Sequence, residues 1–290
     1  MELRLIAGVG ELAPHYDGFI VDLWGVVHEG TAPLPGAIAC LSALVAAGKR
    51  TVLLSNAPRR AGDVVRRITA LGVPPESYHA VMSSGEEAWQ CLYRRDDPFY
   101  RALGRRCLHI GSDRDLEIRD GLDLDFTDRP EAAEFILNTG PAGWDDTVAD
   151  YEPLLRRALS CRLPMVCANP DRVVIHAGKP ALCAGALAHW YAAEGGQVRW
   201  HGKPFASVYE ACFGLFSRVH RSRLLAVGDS LGTDIAGAAA AGIDSLLVAG
   251  GIHAEEFGIV EEEGPDLDRV RAALRAAGCR PVAVAGRFSW

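Results

Sequence analysis

Residues 19–24 read Phe-Ile-Val-Asp-Leu-Trp, a short apolar, β-rich run that ends close to a carboxylate. Such a run is the signature of a buried strand. The next segment, PGAIACLSALVAAG (35–48), reads as a helix opened by proline and closed by glycine. TVLLSN (51–56) is a second strand and RRAGDVVRRITALG (59–72) a second helix. Working outward, further strands are expected at CLHIGS, EFILNT, PMVCAN, RVVIHA, VRWHG, LLAVGDS and DSLLVAG. Alternation of this kind predicts an α/β fold, a parallel sheet with helices on both faces. No linker, repeat or charge run marks a domain boundary.

Composition narrows the function. The 290 residues carry 30 basic and 37 acidic side chains, a formal charge of −7. Nucleic-acid binding wants a basic footprint, so that class is set aside. No stretch of 18 apolar residues exists, so no membrane span is expected. The opening MELRLIAGVGELAP lacks a basic segment followed by a long apolar one, so no signal peptide is expected, and a reducing cytoplasm fits best. The eight cysteines are scattered without a CxxC pair, which favours buried thiols over a disulfide framework or a zinc site. Lysine occurs only at 49, 179 and 203. Gly8-Val9-Gly10-Glu11-Leu12-Ala13 matches the dinucleotide pattern GxGxxG/A. It meets Pro14 where a helix should open, so it reads as a lead-in.

The chemistry gathers where four strands are expected to end, the edge at which open α/β sheets bind ligands. Asp22 closes the first strand. Ser55-Asn56-Ala57-Pro58 follows the second, where a hydroxyl and free helix amides can cradle phosphate or simply cap the helix. His201-Gly202-Lys203-Pro204 follows a third. Val227-Gly228-Asp229-Ser230-Leu231-Gly232-Thr233-Asp234 places two carboxylates after a fourth. Three aspartates at one edge repel unless a divalent cation neutralises them, and hard oxygen ligands suit Mg²⁺.

In this order and spacing the segments resemble the motifs of the haloacid dehalogenase superfamily of phosphohydrolases. DLWGVVHEG, LLSNAPRR, VMSSGEEA, CANPD, HGKPF and VGDSLGTDIAGAAAAGI are similar to class IIA members, which include nucleotide, sugar-phosphate and pyridoxal-phosphate phosphatases. The resemblance spans roughly residues 17–255. It implies a Rossmann-like core, residues 1–92 and 182–290, with an inserted α/β cap at 93–181. It also implies roles. Asp22 is the nucleophile, Ser55 holds the transferring phosphoryl group, and Lys203 neutralises it. Asp22, Asp229, Asp234 and the backbone carbonyl of Trp24 hold Mg²⁺. Asn56, Asn169 and Asp171 contact substrate. Gly-Lys-Pro occurs at 178–180 and at 202–204; the second is chosen because Asp229 lies 26 residues on. Lys179 is kept as a cap-side contact.

One departure limits the resemblance. Most family phosphatases carry a second aspartate, a general acid and base, where this chain has Trp24. Indole donates a hydrogen bond but neither gives nor takes a proton at working pH. His28, Glu29 and His253 are the nearest substitutes, though each also reads as a solvated loop residue. Three readings therefore stand: a Mg²⁺-dependent phosphatase of a small phosphorylated metabolite, slowed by Trp24; a phosphate-binding or regulatory protein on the same fold; and a transferase or other hydrolase using Asp22. A homodimer is compatible with all three.

Overall fold

The computed structural model describes residues 3–176, 179–259 and 264–290. Gly178 of the first Gly-Lys-Pro lies outside them. The chain divides into two compact units, one of Met1–Ser55, Val65–Met82 and Lys203–Trp290, the other of Asn56–Val64 and Ser83–Gly202.

Among the described residues the strands are β1 (Leu5–Ile6), β2 (Gly18–Asp22), β3 (Arg50–Ser55), β4 (Ala80–Ser83), β5 (Arg106–Ile110), β6 (Asp125–Thr127), β7 (Phe135–Asn138), β8 (Met165–Cys167), β9 (Val173–His176), β10 (Lys179–Leu182), β11 (Val198–Trp200), β12 (Leu224–Gly228), β13 (Asp244–Val248) and β14 (Ala283–Ala285). The helices are α1 (Ala37–Ala46), α2 (Ala61–Ala70), α3 (Ser84–Arg94), α4 (Pro98–Ala102), α5 (Val148–Ser160), α6 (Ala184–Ala193), α7 (Ala206–Phe213), α8 (Ala236–Ala240) and α9 (Leu267–Ala277).

The first unit is built on a seven-stranded sheet ordered β1-β14-β13-β12-β2-β3-β4, parallel from β1 through β3. The middle positions of its central strands, Phe19–Val21, Val52–Leu54 and Leu224–Val227, are apolar because both faces are covered. Ile20, Val52, Leu54, Leu224 and Ala226 pack with Val208, Tyr209 and Cys212 of α7 and Ala238 of α8. The intervening Phe19, Val21, Leu53, Leu225 and Val227 are buried as well. The C-terminal residues complete this sheet: Val284 pairs with both Leu5 and Leu247, and α9 packs Val270 and Leu274 beside Val284. The Gly8–Ala13 segment forms short 3₁₀ turns, in line with a lead-in.

The second unit has its own parallel sheet, ordered β11-β8-β7-β5-β6, and an antiparallel pair, β9 with β10. Period-two alternation is visible in its core. Leu108, Ile136, Met165 and Cys167 face Leu155, Leu187 and Tyr191 of α5 and α6. Cys107, Phe135, Leu137, Val166 and Ala168 pack with Ala88 and Leu92 of α3 and Tyr100 of α4.

Beside the cap expected at 93–181, the second compact unit takes in Asn56–Val64 and Ser83–Gly202, with α3, α6 and β11 in its core and sheet. The sequence predicts VRWHG as a core strand leading to Lys203. Val198–Trp200 instead pairs with Met165–Cys167 in the second sheet.

Candidate active site

The first unit's sheet brings its acids together by register. Val21 is paired with Val227 on one side and Leu53 on the other, so Asp22, Ser55 and Asp229 all stand at the same carboxyl edge. Beyond Gly228 the chain makes a π-helical turn, Leu231–Ile235, that carries Asp234 back to this edge. Oxygens of Asp22, Asp229 and Asp234 lie within 4.8 Å of one another, and all three residues are buried. Lys203 enters from the start of α7: its Nζ donates to Asp22 Oδ1 at 2.5 Å and to Asp234 Oδ1 at 2.7 Å.

Each acid has its own support. Asp229 Oδ2 accepts from the Ile252 N–H at 2.7 Å. Asp234 Oδ2 accepts from the Ser230 N–H at 3.2 Å, and the Tyr209 hydroxyl donates to the Asp234 carbonyl at 3.1 Å. Glycines make room for the carboxylates. A Cβ on Gly25 or on Gly251 would lie 2.1 Å from Asp229 Oδ2, and one on Gly228 would lie 2.1 Å from Asp234 Cγ. Gly25 also has φ +79°, a conformation that L side chains disfavour.

Burial pushes the Asp22 carboxyl well above the usual range; the Asp234 charge adds to this and Lys203 offsets part of it. Burial, then Asp234, lifts Asp229 to about 6. Burial alone would lower Lys203, but Asp22 and Asp234 outweigh it and raise the ammonium's pKa. Three buried acids face one lysine. That surplus of negative oxygen fits a hard divalent cation, which would relieve the repulsion that raises Asp22 and Asp229.

The acid and base substitutes are otherwise engaged. His28 is buried, its Nδ1 accepts the Gly30 N–H at 3.0 Å, and burial lowers its pKa. The neutral ring therefore carries its proton on Nε2 and has no lone pair free to take another. His253 donates from Nδ1 to Glu256 at 2.7 Å and accepts the Leu231 N–H at Nε2, 3.4 Å. Glu29 is exposed and near Thr31.

Asn56, Asn169 and Asp171 come together in the second unit. Asn56 Nδ2 donates to Asp171 Oδ1 at 2.8 Å, and Asn169 Oδ1 accepts the Asp171 N–H at 2.9 Å. Sequence reasoning missed Tyr209, Gly251 and Ile252. The Gly-Gly pair after β13 was the available signal for the last two; an aromatic in α7 carries none.

A family model of haloacid dehalogenase-like hydrolases matches residues 19–125, and one described as HAD-hydrolase-like matches residues 200–267. A haloacid dehalogenase-like hydrolase from Brucella suis 1330 aligns at 34% identity and TM-score 0.81, covering 98% of this chain and 99% of that one. The chain belongs to the haloacid dehalogenase-like hydrolases. Its similarity extends to the D-glycerol 3-phosphate phosphatase of Mycobacterium tuberculosis H37Rv, 29% identical over 249 residues, 83% of this chain. The match spans 65% of that protein's length. The glycerol phosphate phosphatase of Mycobacterium tuberculosis solved in complex with magnesium has TM-score 0.66 and 25% identity, over 87% of this chain and 73% of that one. Among the described residues no helix is long and apolar enough to cross a membrane.

Proposed function

We propose that the chain is a Mg²⁺-dependent phosphohydrolase acting on a small phosphorylated metabolite, with Asp22 as its nucleophile. The observation that carries this reading is the buried cluster in which Lys203 bridges Asp22 and Asp234 beside Asp229. An Asp22 oxygen attacks phosphorus and the ester oxygen leaves with its electron pair, giving an aspartyl-phosphate. Water then attacks that phosphorus, releasing phosphate and restoring Asp22. Ser55 donates a hydrogen bond to the transferring group, and Lys203 offsets its charge and that of Asp22. Asp22, Asp229, Asp234 and the Trp24 carbonyl would hold Mg²⁺, which supplies charge neutralisation and in-line alignment when bound. The second unit, Asn56–Val64 and Ser83–Gly202, is read as carrying the class IIA cap, and Asn56, Asn169 and Asp171 as substrate contacts.

Trp24 favours a second reading, a phosphate-binding protein with weakened catalysis, since an indole stands where the usual aspartate would give its proton. One experiment separates the two: phosphate release from a panel of phosphate esters with and without Mg²⁺, beside intact-mass detection of phosphate on Asp22. Glycerol 3-phosphate belongs in the panel. Mg²⁺-dependent release that is abolished in Asp22→Asn supports the enzyme; phosphate binding without release supports the alternative.

A further inference from the structure

Trp24 is held too firmly to be an idle surface residue. After Asp22 the chain folds into a tight loop in which Val27 and His28 donate to the Leu23 carbonyl, at 2.8 and 3.0 Å, and Gly25 donates to His28 at 2.9 Å. Trp24 and His28 are bridged through their backbones, and their rings meet edge to face, 5.6 Å apart at 78°. Gly30 leaves a slot for the indole. A Cβ there would lie 2.4 Å from Trp24 Cη2 and 2.7 Å from Cζ3, and Gly30 also donates to the buried His28 at 3.0 Å. The ring is thus set against two neighbours, His28 and Gly30, yet Trp24 is 42% exposed two residues along the chain from the nucleophile. A large, rigid aromatic left open two residues along the chain from the proposed nucleophile is suited to receive another ring.

We propose that Trp24 is a specificity-determining residue whose indole packs against a flat aromatic ring in the leaving group, so that the substrates are aromatic or heteroaromatic phosphate monoesters. For turnover this rests on the phosphohydrolase reading; for binding it needs only the phosphate site. The residue that removes the usual proton donor thereby adds a contact for the group that departs.

Calorimetry with benzylphosphonic and cyclohexylmethylphosphonic acids, in Mg²⁺, tests this without turnover. The two share charge and linker and differ in the flat ring. Wild type should bind the benzyl compound about fivefold more tightly, the scale of one aromatic pair. Trp24→Phe should keep most of that ratio and Trp24→Leu should lose it. Gly30→Ala, which displaces the ring without removing it, should reduce it. The ratio within each variant corrects for general loss of affinity. A ratio near one in wild type, or one that survives Trp24→Leu, overturns the proposal while leaving the phosphatase reading intact. If neither phosphonate binds, the platform falls together with the phosphate site.

Discussion

Lys203 Nζ lies 2.5 Å from Asp22 Oδ1, and both side chains are buried. A buried pair of this kind contributes little over an apolar replacement, but removing one partner strands the other. Lys203→Met leaves Asp22 and Asp234 facing each other without their cation. Stability should fall by about 3–5 kcal/mol in metal-free protein. Phosphate release should fall by about 10²–10³-fold, the scale for one electrostatic donor. Urea unfolding beside a phosphate-release assay checks both. Activity within tenfold of wild type would remove Lys203 from the mechanism.

Asp229 occupies a space that two glycines keep open, so its position is testable without changing its chemistry. In Gly251→Ala the new methyl would lie 2.1 Å from Asp229 Oδ2 and 2.3 Å from its Cβ. Overpacking of this kind costs about 1–3 kcal/mol, and here the displaced group is a proposed metal ligand. Mg²⁺ affinity measured by calorimetry should drop in Gly251→Ala and vanish in Asp229→Ala. Gly264→Ala, where a Cβ meets nothing within 4 Å, is the control. Unchanged Mg²⁺ affinity in Asp229→Ala would sink the metal assignment.

Much of this site was legible because strand ends are written in the sequence: apolar runs stop at Asp22, Ser55 and Gly228-Asp229, and parallel register aligns those stops. The sheet to which a strand belongs is not written there. Val198–Trp200 is a short strand whose sequence names no partner, and only pairing with Met165–Cys167 assigns it to the second unit. β14 has just three residues, too few for a periodic signal, so its place between β1 and β13 appears only in three dimensions. The close packing of Gly25 on Asp229 joins residues more than 200 positions apart, which no local pattern encodes. His28 looked like a loop residue from its neighbours; the turn that buries it is made by backbone hydrogen bonds to Leu23.

His109 links stability to pH in the second unit. Arg119 Nε donates to its Nδ1 at 2.9 Å and Thr139 Oγ1 lies 2.9 Å from its Nε2. Burial, with the Arg119 charge second, lowers its pKa from 6.5 to about 3. The unfolded chain takes up a proton below 6.5 that the native state refuses until about 3, so the unfolded state binds more protons in that window. Stability is therefore fully present above 6.5 and is lost as pH falls, by about 1.4 kcal/mol per unit for this group. Urea midpoints between pH 7 and pH 4 should fall less steeply in His109→Gln than in wild type. Parallel slopes in the two proteins would show that His109 is already charged when folded.

The sharpest consequence of Trp24 concerns the departing oxygen. An alkoxide leaves poorly unless it is protonated, and indole has no proton to give at neutral pH. His28 has its Nδ1 lone pair committed to the Gly30 N–H, and both nitrogens of His253 are committed to Leu231 and Glu256. Aryl and acyl phosphates expel stable anions and need that proton far less, so they should turn over much faster than alkyl monoesters. Water attacking the aspartyl-phosphate lacks a base as well, so phosphate should accumulate on Asp22 during turnover. Trp24→Asp restores a carboxyl at the position and should raise alkyl ester hydrolysis by about 10²-fold, within the range of general acid–base catalysis. The substitution also vacates the space that Gly30 keeps for the ring, so unfolding by urea must accompany the kinetics. The quantity to measure is the ratio of kcat for an aryl to an alkyl phosphate in the two proteins. It should be large in wild type and collapse in Trp24→Asp; the same ratio in both would mean that another group already supplies the proton.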